Sequence, residues 1–458
     1  MGSKIERVIS GYNKVDIGIQ FVALEGGQSL YARNADKPFT PASLMKILTA
    51  TAALETLGSE FQIPTEVFMS GSGKNVSIYI RGYGDPGLVS RDLWDIAEVI
   101  AGTRVEGFSG LYVDDSLFLT PRGPSGPRPY EAGSGALSLN HNCIPVSVAQ
   151  NPVDSQLSVW TVPGFDGLLR GVPAVRKGAA ANIQLAGDSR QGSDFSSVAA
   201  RALGVTGLRV GGTVPPLVAS GEVVTEYRTV KDPGLYLGVA LMNLLQRRGV
   251  SFQAANPLRA VVPQGAKLIH THQSKPLAEI IKELNFYSNN FIAEQLLNLL
   301  GQNAAGQFDR TLGLTRLSSV VKRQGFADQQ FKIADGSGLD RGNRLTPRQI
   351  VAVLKYASGN SIIAPHFKAS LGRFGSSGTV RKRRIGRNSA GDGVEWQPGD
   401  AFRGKTGTLT GVSGIAGYGF SHNRREVAYV VLVSGGIGKS EAVRIEDQVL
   451  QILAGTDI

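Results

Sequence analysis

The sequence predicts an α+β fold in which an antiparallel sheet is flanked by helices. Three observations support this prediction. Strand-like segments lie near both ends of the chain, helical patterns precede and follow them, and the middle of the chain contains short strands broken by glycine and proline. With 458 residues, 58 of them glycine, the chain is long enough for several domains and is rich in tight turns.

The N-terminal segment predicts a hairpin followed by a helix. A short helix at Lys4 to Ser10 precedes two strands, Val15 to Leu24 and Ser29 to Arg33, joined by a glycine-containing turn. Thr40 is placed to cap the next helix, in which apolar residues recur at helical spacing until Gly58 ends it.

The middle of the chain predicts inserted, largely β-rich material. Between residues 71 and 267 short strands alternate with turns, with a helix at Pro233 to Gly249. Within this region, residues 153–226 are poor in charged and aromatic residues, which favours a small β-rich module of their own.

The C-terminal part predicts helices followed by a sheet and a last helix. One helical stretch runs from Leu277 through Leu300. The remaining predicted elements are helices at Thr311 to Gln324 and Pro347 to Ala357, strands at Ala401 to Thr408, Ile415 to Phe420 and Val427 to Val433, and a helix at Ser440 to Leu453.

Composition narrows the function classes. The net charge of +11 favours anionic partners, such as lipid head groups, wall polymers or nucleic acid. A single cysteine, Cys143, excludes an internal disulfide framework and a cysteine-based metal site, and we expect it to be buried. No apolar run approaches the roughly 20 residues of a membrane span. The chain begins Met1-Gly2-Ser3 without the apolar core of a signal peptide, so we expect any export signal to have been removed.

Ser43 and Lys46 are the first candidate catalytic residues. They are three residues apart at the start of a predicted helix, so one turn brings both side chains to the same face. A buried lysine with a lowered pKa can take the serine proton, and the helix N-terminus favours a developing oxyanion. Ser319 and Lys322 have the same spacing, but we interpret them as a solvated helix face.

Ser288 and Asn290 form a second candidate group. The hydroxyl of Ser288 can relay a proton to a leaving amine, and the amide of Asn290 can orient the lysine and the substrate carbonyl. Three other Ser-x-Asn triplets occur in the chain, so this pattern alone is weak. Tyr287 offers an alternative, because Tyr287 and Asn289 form a Tyr-x-Asn pattern.

The sharpest signal is Lys405-Thr406-Gly407-Thr408, which lies in a predicted strand. The ammonium of Lys405 and the two threonine hydroxyls can hold a substrate carboxylate, while Gly407 allows close approach of a bound peptide. The backbone N–H groups of Ser43 and Thr408 would then form an oxyanion hole.

Together, the order Ser-x-x-Lys, Ser-x-Asn, Lys-Thr-Gly matches the set found in penicillin-binding proteins and class A β-lactamases. The interval from Ser43 to Ser288 is about twice that from Ser288 to Lys405, whereas a β-lactamase has a far shorter first interval. The chain therefore resembles the class C penicillin-binding proteins, the D-alanyl-D-alanine carboxypeptidase/endopeptidase family (peptidase S13). Further strings resemble that family's signatures: Pro41-Ala42 before Ser43, Gly82-Tyr83-Gly84-Asp85-Pro86, Ala293-Glu294 and Asp335-Gly336-Ser337-Gly338-Leu339.

The resemblance implies both a fold and a set of roles. The catalytic domain would be a penicillin-binding or β-lactamase-like transpeptidase domain built from residues 1–70 and 268–458. Two nested β-rich domains would be inserted in it: the second from residues 71–152 and 227–267, the third from 153–226.

By the same resemblance Ser43 is the nucleophile, Lys46 the acylation base, and Ser288, Asn290 and Lys405 complete the proton network, with no metal or cofactor. The substrates would be peptidoglycan peptides outside the inner membrane, and β-lactams would acylate the same serine.

No string resembles the glutamate loop with which class A β-lactamases deacylate. Family members that grip a diaminopimelate amino group place an acidic residue in the loop from Pro121 to Glu131, where only Glu131 is available. A serine β-lactamase or esterase, and a non-catalytic protein that binds wall peptides, remain alternatives.

Three other features are set aside. The glycines of Gly82-Tyr83-Gly84-Asp85-Pro86-Gly87 suggest a dinucleotide loop, but Asp85 would repel a pyrophosphate and Pro86 lacks an N–H. His270 and His272 could share a strand face, yet no third metal ligand lies nearby. A basic cluster, which we interpret as a solvated loop, lacks the interleaved aromatic residues of a nucleic-acid site; its members are Arg381, Lys382, Arg383, Arg384 and Arg387.

Overall fold

The fold is known from a computed structural model, which describes residues 1–73, 75–105, 107–150, 157–164, 168–177, 182–188, 201–205, 207–214, 223–383, 385 and 402–458. The chain forms two compact units. The first contains residues 1–61, 276–303 and 309–458, and the second contains residues 62–275 and 304–308.

The helices and strands are numbered along the chain. The α-helices are α1 (Gly2–Ile9), α2 (Met45–Leu57), α3 (Ser90–Ala101), α4 (Pro233–Gln246), α5 (Leu277–Tyr287), α6 (Asn290–Leu299), α7 (Arg310–Lys322), α8 (Pro347–Gly359), α9 (Ala364–Ser370) and α10 (Lys439–Ala454). The strands are β1 (Val15–Ala23), β2 (Ser29–Arg33), β3 (Pro64–Ser70), β4 (Ser77–Gly82), β5 (Gly107–Phe108), β6 (Gly110–Asp114), β7 (Cys143–Gln150), β8 (Leu157–Thr161), β9 (Leu169–Lys177), β10 (Asn182–Asp188), β11 (Gly207–Val214), β12 (Val224–Thr229), β13 (Ser251–Phe252), β14 (Leu258–Arg259), β15 (Lys267–Gln273), β16 (Gly372–Arg373), β17 (Arg403–Leu409), β18 (Val412–Phe420) and β19 (Glu426–Gly435).

The first unit is built on a six-stranded sheet of order β16-β17-β18-β19-β1-β2, and every neighbouring pair is antiparallel. Successive side chains in a strand point to opposite faces, so each face packs a different set of helices. Ile19 and Val431 belong to the core that includes residues of α1 and α10. On the other face, a side chain at Gly18 would collide with Phe39 and Pro347, the first residue of α8. The predicted antiparallel sheet with flanking helices is confirmed.

The second unit contains a mixed five-stranded sheet of order β14-β6-β4-β3-β15, in which β6 runs parallel to both β4 and β14. Helix α4 is almost wholly apolar and buried, with Asp232 capping it through Leu235 N. Strands β3 and β15 pair in this sheet, although the sequence-based division placed them with the chain ends. The division into three domains stays a prediction, and part of residues 153–226 lies outside the described residues.

Two helix predictions were wrong in detail. Thr40 does not cap α2, because a 3-10 turn at Ala42–Leu44 precedes that helix and the Thr40 hydroxyl instead accepts a hydrogen bond from Arg344. The stretch from Leu277 to Leu300 is not one helix. It breaks between α5 and α6, where Ser288 adopts left-handed backbone angles, φ 57° and ψ 39°. This break lies within the candidate Ser-x-Asn motif.

The interpretation of the basic cluster as a solvated loop was wrong for Arg383. Its guanidinium is buried and donates to the carboxylates of Glu446 and Asp447 on α10, both at 2.7 Å. Arg381 and Lys382 are exposed. Arg384 and Arg387 lie outside the described residues.

Two further expectations concern Cys143 and membrane spans. Cys143 is buried and free, as predicted, and burial raises the pKa of its thiol to about 12. Over the part of the chain that the structure describes, no helix has the length and apolar character needed to cross a bilayer.

Candidate active site

Ser43 lies in the 3-10 turn that precedes α2 and is half-buried. The residue before it, Ala42, has φ 48°, a left-handed conformation that is unfavourable for alanine and is retained only where the surroundings hold it. Two close glycines do so. A Cβ at Gly338 would lie 1.8 Å from the carbonyl oxygen of Ala42, and one at Gly407 would lie 2.7 Å from that of Pro41. The turn that presents Ser43 is therefore packed against two backbone segments.

Lys46 is completely buried in the first turn of α2. Its Nζ lies 3.0 Å from Ser43 Oγ, 2.7 Å from Asn290 Oδ1 and 2.7 Å from the carbonyl oxygen of Ser337. The structure thus joins the first motif to Asn290 of the second, as predicted. The contact with Ser337 was not predicted.

These three partners determine how a neutral Lys46 can be oriented. Amide and carbonyl oxygens only accept hydrogen bonds, whereas a hydroxyl can also donate one. A neutral amine has two N–H groups and one lone pair, so Asn290 and Ser337 take the two N–H groups. The lone pair is then left for the Ser43 hydroxyl, which is the orientation that a general base needs.

The surroundings of Lys46 also set its proton affinity. Burial disfavours the charged form and lowers the pKa of Lys46 to about 7, while the charges of Asp335 and Glu294 act in the opposite direction. A pKa near neutrality makes the lysine a base that is available at neutral pH and whose conjugate acid is still accessible.

Ser288 lies at the break between α5 and α6, and its Oγ accepts a hydrogen bond from Lys405 Nζ at 2.7 Å. Asn289 caps α6 by accepting from Ile292 N. The side chain of Tyr287 is 74% exposed. The geometry favours Ser288 over Tyr287 as the polar group of the second motif.

Lys405 lies on β17 and is completely buried. Besides Ser288, its Nζ donates to the carbonyl oxygen of Thr406 at 2.7 Å. Burial and the nearby charge of Lys46 lower the pKa of Lys405 well below its usual value. These hydrogen bonds connect Lys405 to Ser288 of the predicted proton network, and its binding of a substrate carboxylate stays a prediction.

Among the described residues, no strand pairs with the outer edge of β17 beside the nucleophile. Strand β16 pairs only with Arg403 and Gly404, and further along Thr406 N donates to Thr379 Oγ1 at 3.3 Å. Backbone N–H groups two residues apart point to the same side of a strand, so Thr408 N faces this edge as well. The Thr408 side chain is exposed and that of Thr406 is half-buried. The roles of Thr408 N as an oxyanion donor and of this edge in peptide binding stay predictions.

The loop from Asp335 to Gly338 contacts the candidate site through the Ser337 carbonyl, which accepts from Lys46. The sequence analysis did not predict this role. Asp335 is buried, and its carboxylate accepts hydrogen bonds from Gly338 N, Asp340 N, Ser337 Oγ and Asn343 Nδ2. Glu294 on α6 accepts from Gly336 N and Ser337 N and forms an ion pair with Arg310. The sequence did offer a signal for this role, because Glu294 lies in a largely apolar helical stretch and Asp335 begins a glycine-rich string.

The chain matches the model of the D-Ala-D-Ala carboxypeptidase 3 (S13) family over residues 6–456. The protein belongs to this family. A D-alanyl-D-alanine carboxypeptidase of Actinomadura sp. (strain R39) is 30% identical over 95% of this chain and 81% of its own length. The carboxypeptidase DacB of Haemophilus influenzae is 24% identical over 86% of this chain and 80% of its own.

Solved structures agree on the fold of this S13 chain. Penicillin-binding protein 4 of H. influenzae superposes with a TM-score of 0.75 at 21% identity and covers 99% of both chains. The peptidoglycan endopeptidase Bd3459 of Bdellovibrio bacteriovorus matches with a TM-score of 0.53 at 16% identity, over 96% of this chain and 93% of its own. The predicted penicillin-binding fold is therefore confirmed.

The second Ser-x-x-Lys pattern of the S13 chain lies outside this site. Ser319 Oγ donates to Arg316 O, and Lys322 forms an exposed ion pair with Asp328. Two N–H groups of the glycine-containing loop after β4 already have protein acceptors, since Gly84 N donates to Ala136 O and Gly87 N to Asp85 Oδ1. Within the described residues, no group of three His, Cys, Asp or Glu side chains is arranged to hold a metal ion.

Proposed function

We propose that the protein is a serine D,D-peptidase that cleaves D-alanyl-D-alanine ends or cross-links of peptidoglycan peptides through an acyl-enzyme on Ser43. Family membership supports the substrate class. The observation that carries the residue assignment is the set of three oxygen partners around Lys46, which directs its lone pair to the Ser43 hydroxyl. A purely structural lysine needs no such orientation.

In acylation, Lys46 takes the Ser43 proton while Oγ attacks the carbonyl carbon of the penultimate D-alanine. The N–H groups of Ser43 and Thr408 stabilise the oxyanion of the tetrahedral intermediate. The C–N bond then breaks, and the leaving amine takes a proton from the Ser288 hydroxyl, which Lys405 contacts. The proton that Lys46 took from Ser43 replaces it on Ser288, so Lys46 is neutral again before deacylation. The terminal D-alanine, or the amine of a cross-linked strand, departs.

In deacylation, water attacks the ester carbonyl and restores the Ser43 hydroxyl. Lys46 is again the nearest base, because the ester oxygen occupies the former position of the hydroxyl. Thr406 and Thr408 lie along the open edge of β17, which suits them to bind the extended peptide and its carboxylate. In the structure Glu131, the acidic residue of the loop from Pro121 to Glu131, accepts a hydrogen bond from Arg128 N, and a role for it toward a diaminopimelate amino group stays a prediction.

The decisive experiment is mass spectrometry of the intact protein after mixing with benzylpenicillin. The strained amide and carboxylate of penicillin mimic the peptide end, so we expect a lasting added mass on the peptide that contains Ser43. Ser43→Ala should show no adduct and no peptide hydrolysis, with an unchanged melting temperature. Ser319→Ala is the matched control and should behave as the parent.

Other outcomes select the alternatives. Rapid loss of penicillin without a lasting adduct would indicate a β-lactamase or esterase. No reaction with either penicillin or D-alanyl-D-alanine peptides would indicate a protein that only binds wall peptides. An adduct on another residue would overturn the choice of Ser43.

The proposed substrate also implies a location. Peptidoglycan lies outside the inner membrane, so we propose a periplasmic or other extracytoplasmic site of action. The net charge of +11 would draw the protein toward anionic wall or membrane surfaces. Detection of the native protein only in the cytosol would contradict this location.

A further inference from the structure

Two buried carboxylates lie behind Lys46 and do not contact it directly. Asp335 and Glu294 are 1% and 3% exposed, and both use their oxygens on backbone N–H groups of the loop from Asp335 to Gly338. The same loop supplies the Ser337 carbonyl that accepts from Lys46. Besides the effect of their charge on the pKa of Lys46, the carboxylates therefore act on the lysine through the backbone.

The peptide group between Ser337 and Gly338 is held at both ends. Its N–H donates to Asp335 Oδ1 at 2.7 Å, and its carbonyl accepts from Lys46 Nζ at 2.7 Å. In a trans peptide these two groups point in opposite directions. Asp335 thereby fixes the plane in which the carbonyl faces the lysine, and it polarises that carbonyl.

Glu294 holds the two preceding peptide groups. Its Oε1 accepts from Gly336 N at 3.1 Å and from Ser337 N at 3.0 Å, and its Oε2 accepts from Arg310 at 2.6 Å. On the other side of the loop, Thr49 of α2 donates to Gly336 O at 2.6 Å. The loop is thus tied both to α6 and to the helix that carries Lys46.

We propose that Asp335 and Glu294 are positioning residues for acylation: they clamp this loop so that the Ser337 carbonyl occupies one N–H of Lys46 and leaves its lone pair to Ser43. This inference rests on the proposed function of Ser43 and Lys46. If the carbonyl turned away, a neutral Lys46 would direct its freed N–H at Ser43 as often as its lone pair. The resting structure would change little, but the Lys46 lone pair would no longer be directed at the Ser43 hydroxyl.

Glu294 gives the cleaner test. Each carboxylate oxygen of Asp335 accepts two hydrogen bonds. In Asp335→Asn one of these oxygens becomes an NH₂ group that faces two donors, which would destabilise the fold. Glu294→Ala removes the oxygen that accepts from both N–H groups of the loop. Glu294→Gln combined with Arg310→Gln keeps an oxygen for the two N–H groups and lets the two amides bond to each other.

The measurement is the second-order rate constant for acylation by a fluorescent penicillin between pH 5.5 and 9.5. We expect Glu294→Ala to lower the high-pH plateau by about 100-fold, the usual consequence of a misplaced reacting group. The double variant should stay within about threefold of the parent, because an oxygen that accepts from both N–H groups persists. Glu55→Ala is the matched control: it breaks another Glu–Arg pair, with Arg323, on the same helix as Lys46.

The outcomes separate this inference from the proposed function. If the parent acylates Ser43 but folded Glu294→Ala reaches the parent plateau, the clamp is wrong and the proposed function stands. The clamp is also wrong if the double variant is as slow as Glu294→Ala, or if Glu55→Ala loses as much activity. If the parent forms no Ser43 adduct at all, the proposed function itself falls.

Discussion

The candidate active site contains two completely buried lysines, Lys46 and Lys405, whose surroundings differ. Lys46 has three oxygen partners, and two carboxylates lie near enough to raise its proton affinity. Lys405 has two oxygen partners, and among the described residues only burial and the charge of Lys46 shift its pKa. Both lysines are shielded from solvent, but only Lys46 has nearby carboxylates that compensate a positive charge.

This difference suggests a division of labour. A buried ammonium is costly unless carboxylates compensate it, so Lys46 can hold a proton that Lys405 holds less well. Once Lys46 takes the Ser43 proton, its charge further disfavours a proton on Lys405, which contacts Ser288. The repulsion therefore favours passing a proton outward toward the leaving amine.

Replacing each lysine by methionine should give the largest contrast. Lys46→Met removes the base and should slow acylation by about 10³–10⁴-fold, the upper part of the usual range of about 10²–10⁴-fold for a general base. Lys405→Met leaves the base in place and should cost about 10–100-fold, through a less well-ordered Ser288. Acylation kinetics with a fluorescent penicillin measure both. Equal losses would contradict the division of labour.

Ser288 is the link between the Lys405 side and the leaving group, and two substitutions separate its chemistry from its backbone strain. Ser288→Ala and Ser288→Gly both remove the hydroxyl, so peptide hydrolysis should fall about 10–100-fold in each. Only glycine adopts φ 57° without cost, so Ser288→Gly should be about 1 kcal/mol more stable than Ser288→Ala. Thermal melting compares the stabilities. Unequal hydrolysis rates would show that backbone strain itself contributes to catalysis.

Ser288 also shows where sequence reasoning stops. The three motifs, their order, the antiparallel strands and the last helix were predictable, because each depends on local spacing or periodicity. The helix break at Ser288 was not, since neither glycine nor proline marks it and the contact with Lys405 joins residues 117 apart.

The same limit applies to the groups that surround Lys46 and to Arg383. The Ser337 carbonyl is a backbone atom, and a residue type gives no sign of where its carbonyl will point. Arg383 was predicted to be solvated because its neighbours are basic, and only the packing of α10 reveals its partners. Interactions between distant segments decide these features.

The pH dependence tests whether Lys46 is the group that titrates. The base must be neutral, so acylation should rise as pH increases through the Lys46 pKa of about 7 and level off above it. Between pH 6 and pH 8 the rate constant should increase about tenfold. This acid limb should persist in Lys405→Met and vanish in Lys46→Met. An acid limb that shifts with Lys405 instead would reverse the two roles.

Arg383 is a third buried basic side chain among the described residues, and its substitution should have the smallest effect on acylation. Unlike either lysine, it has direct ion pairs, with Glu446 and Asp447 on α10. Arg383→Met would leave the Glu446 carboxylate buried without its cation, which should destabilise the fold by about 3–5 kcal/mol. A lower melting temperature should accompany it, while the acylation rate at 25 °C stays near that of the parent. Arg248→Met, which removes a partly exposed pair with Glu98, is the control and should cost about 1 kcal/mol or less. If Arg383→Met slowed acylation as strongly as Lys405→Met, Arg383 would also be coupled to the chemistry despite its direct ion pairs. Nearby carboxylates would then not distinguish a structural cation from a catalytic one.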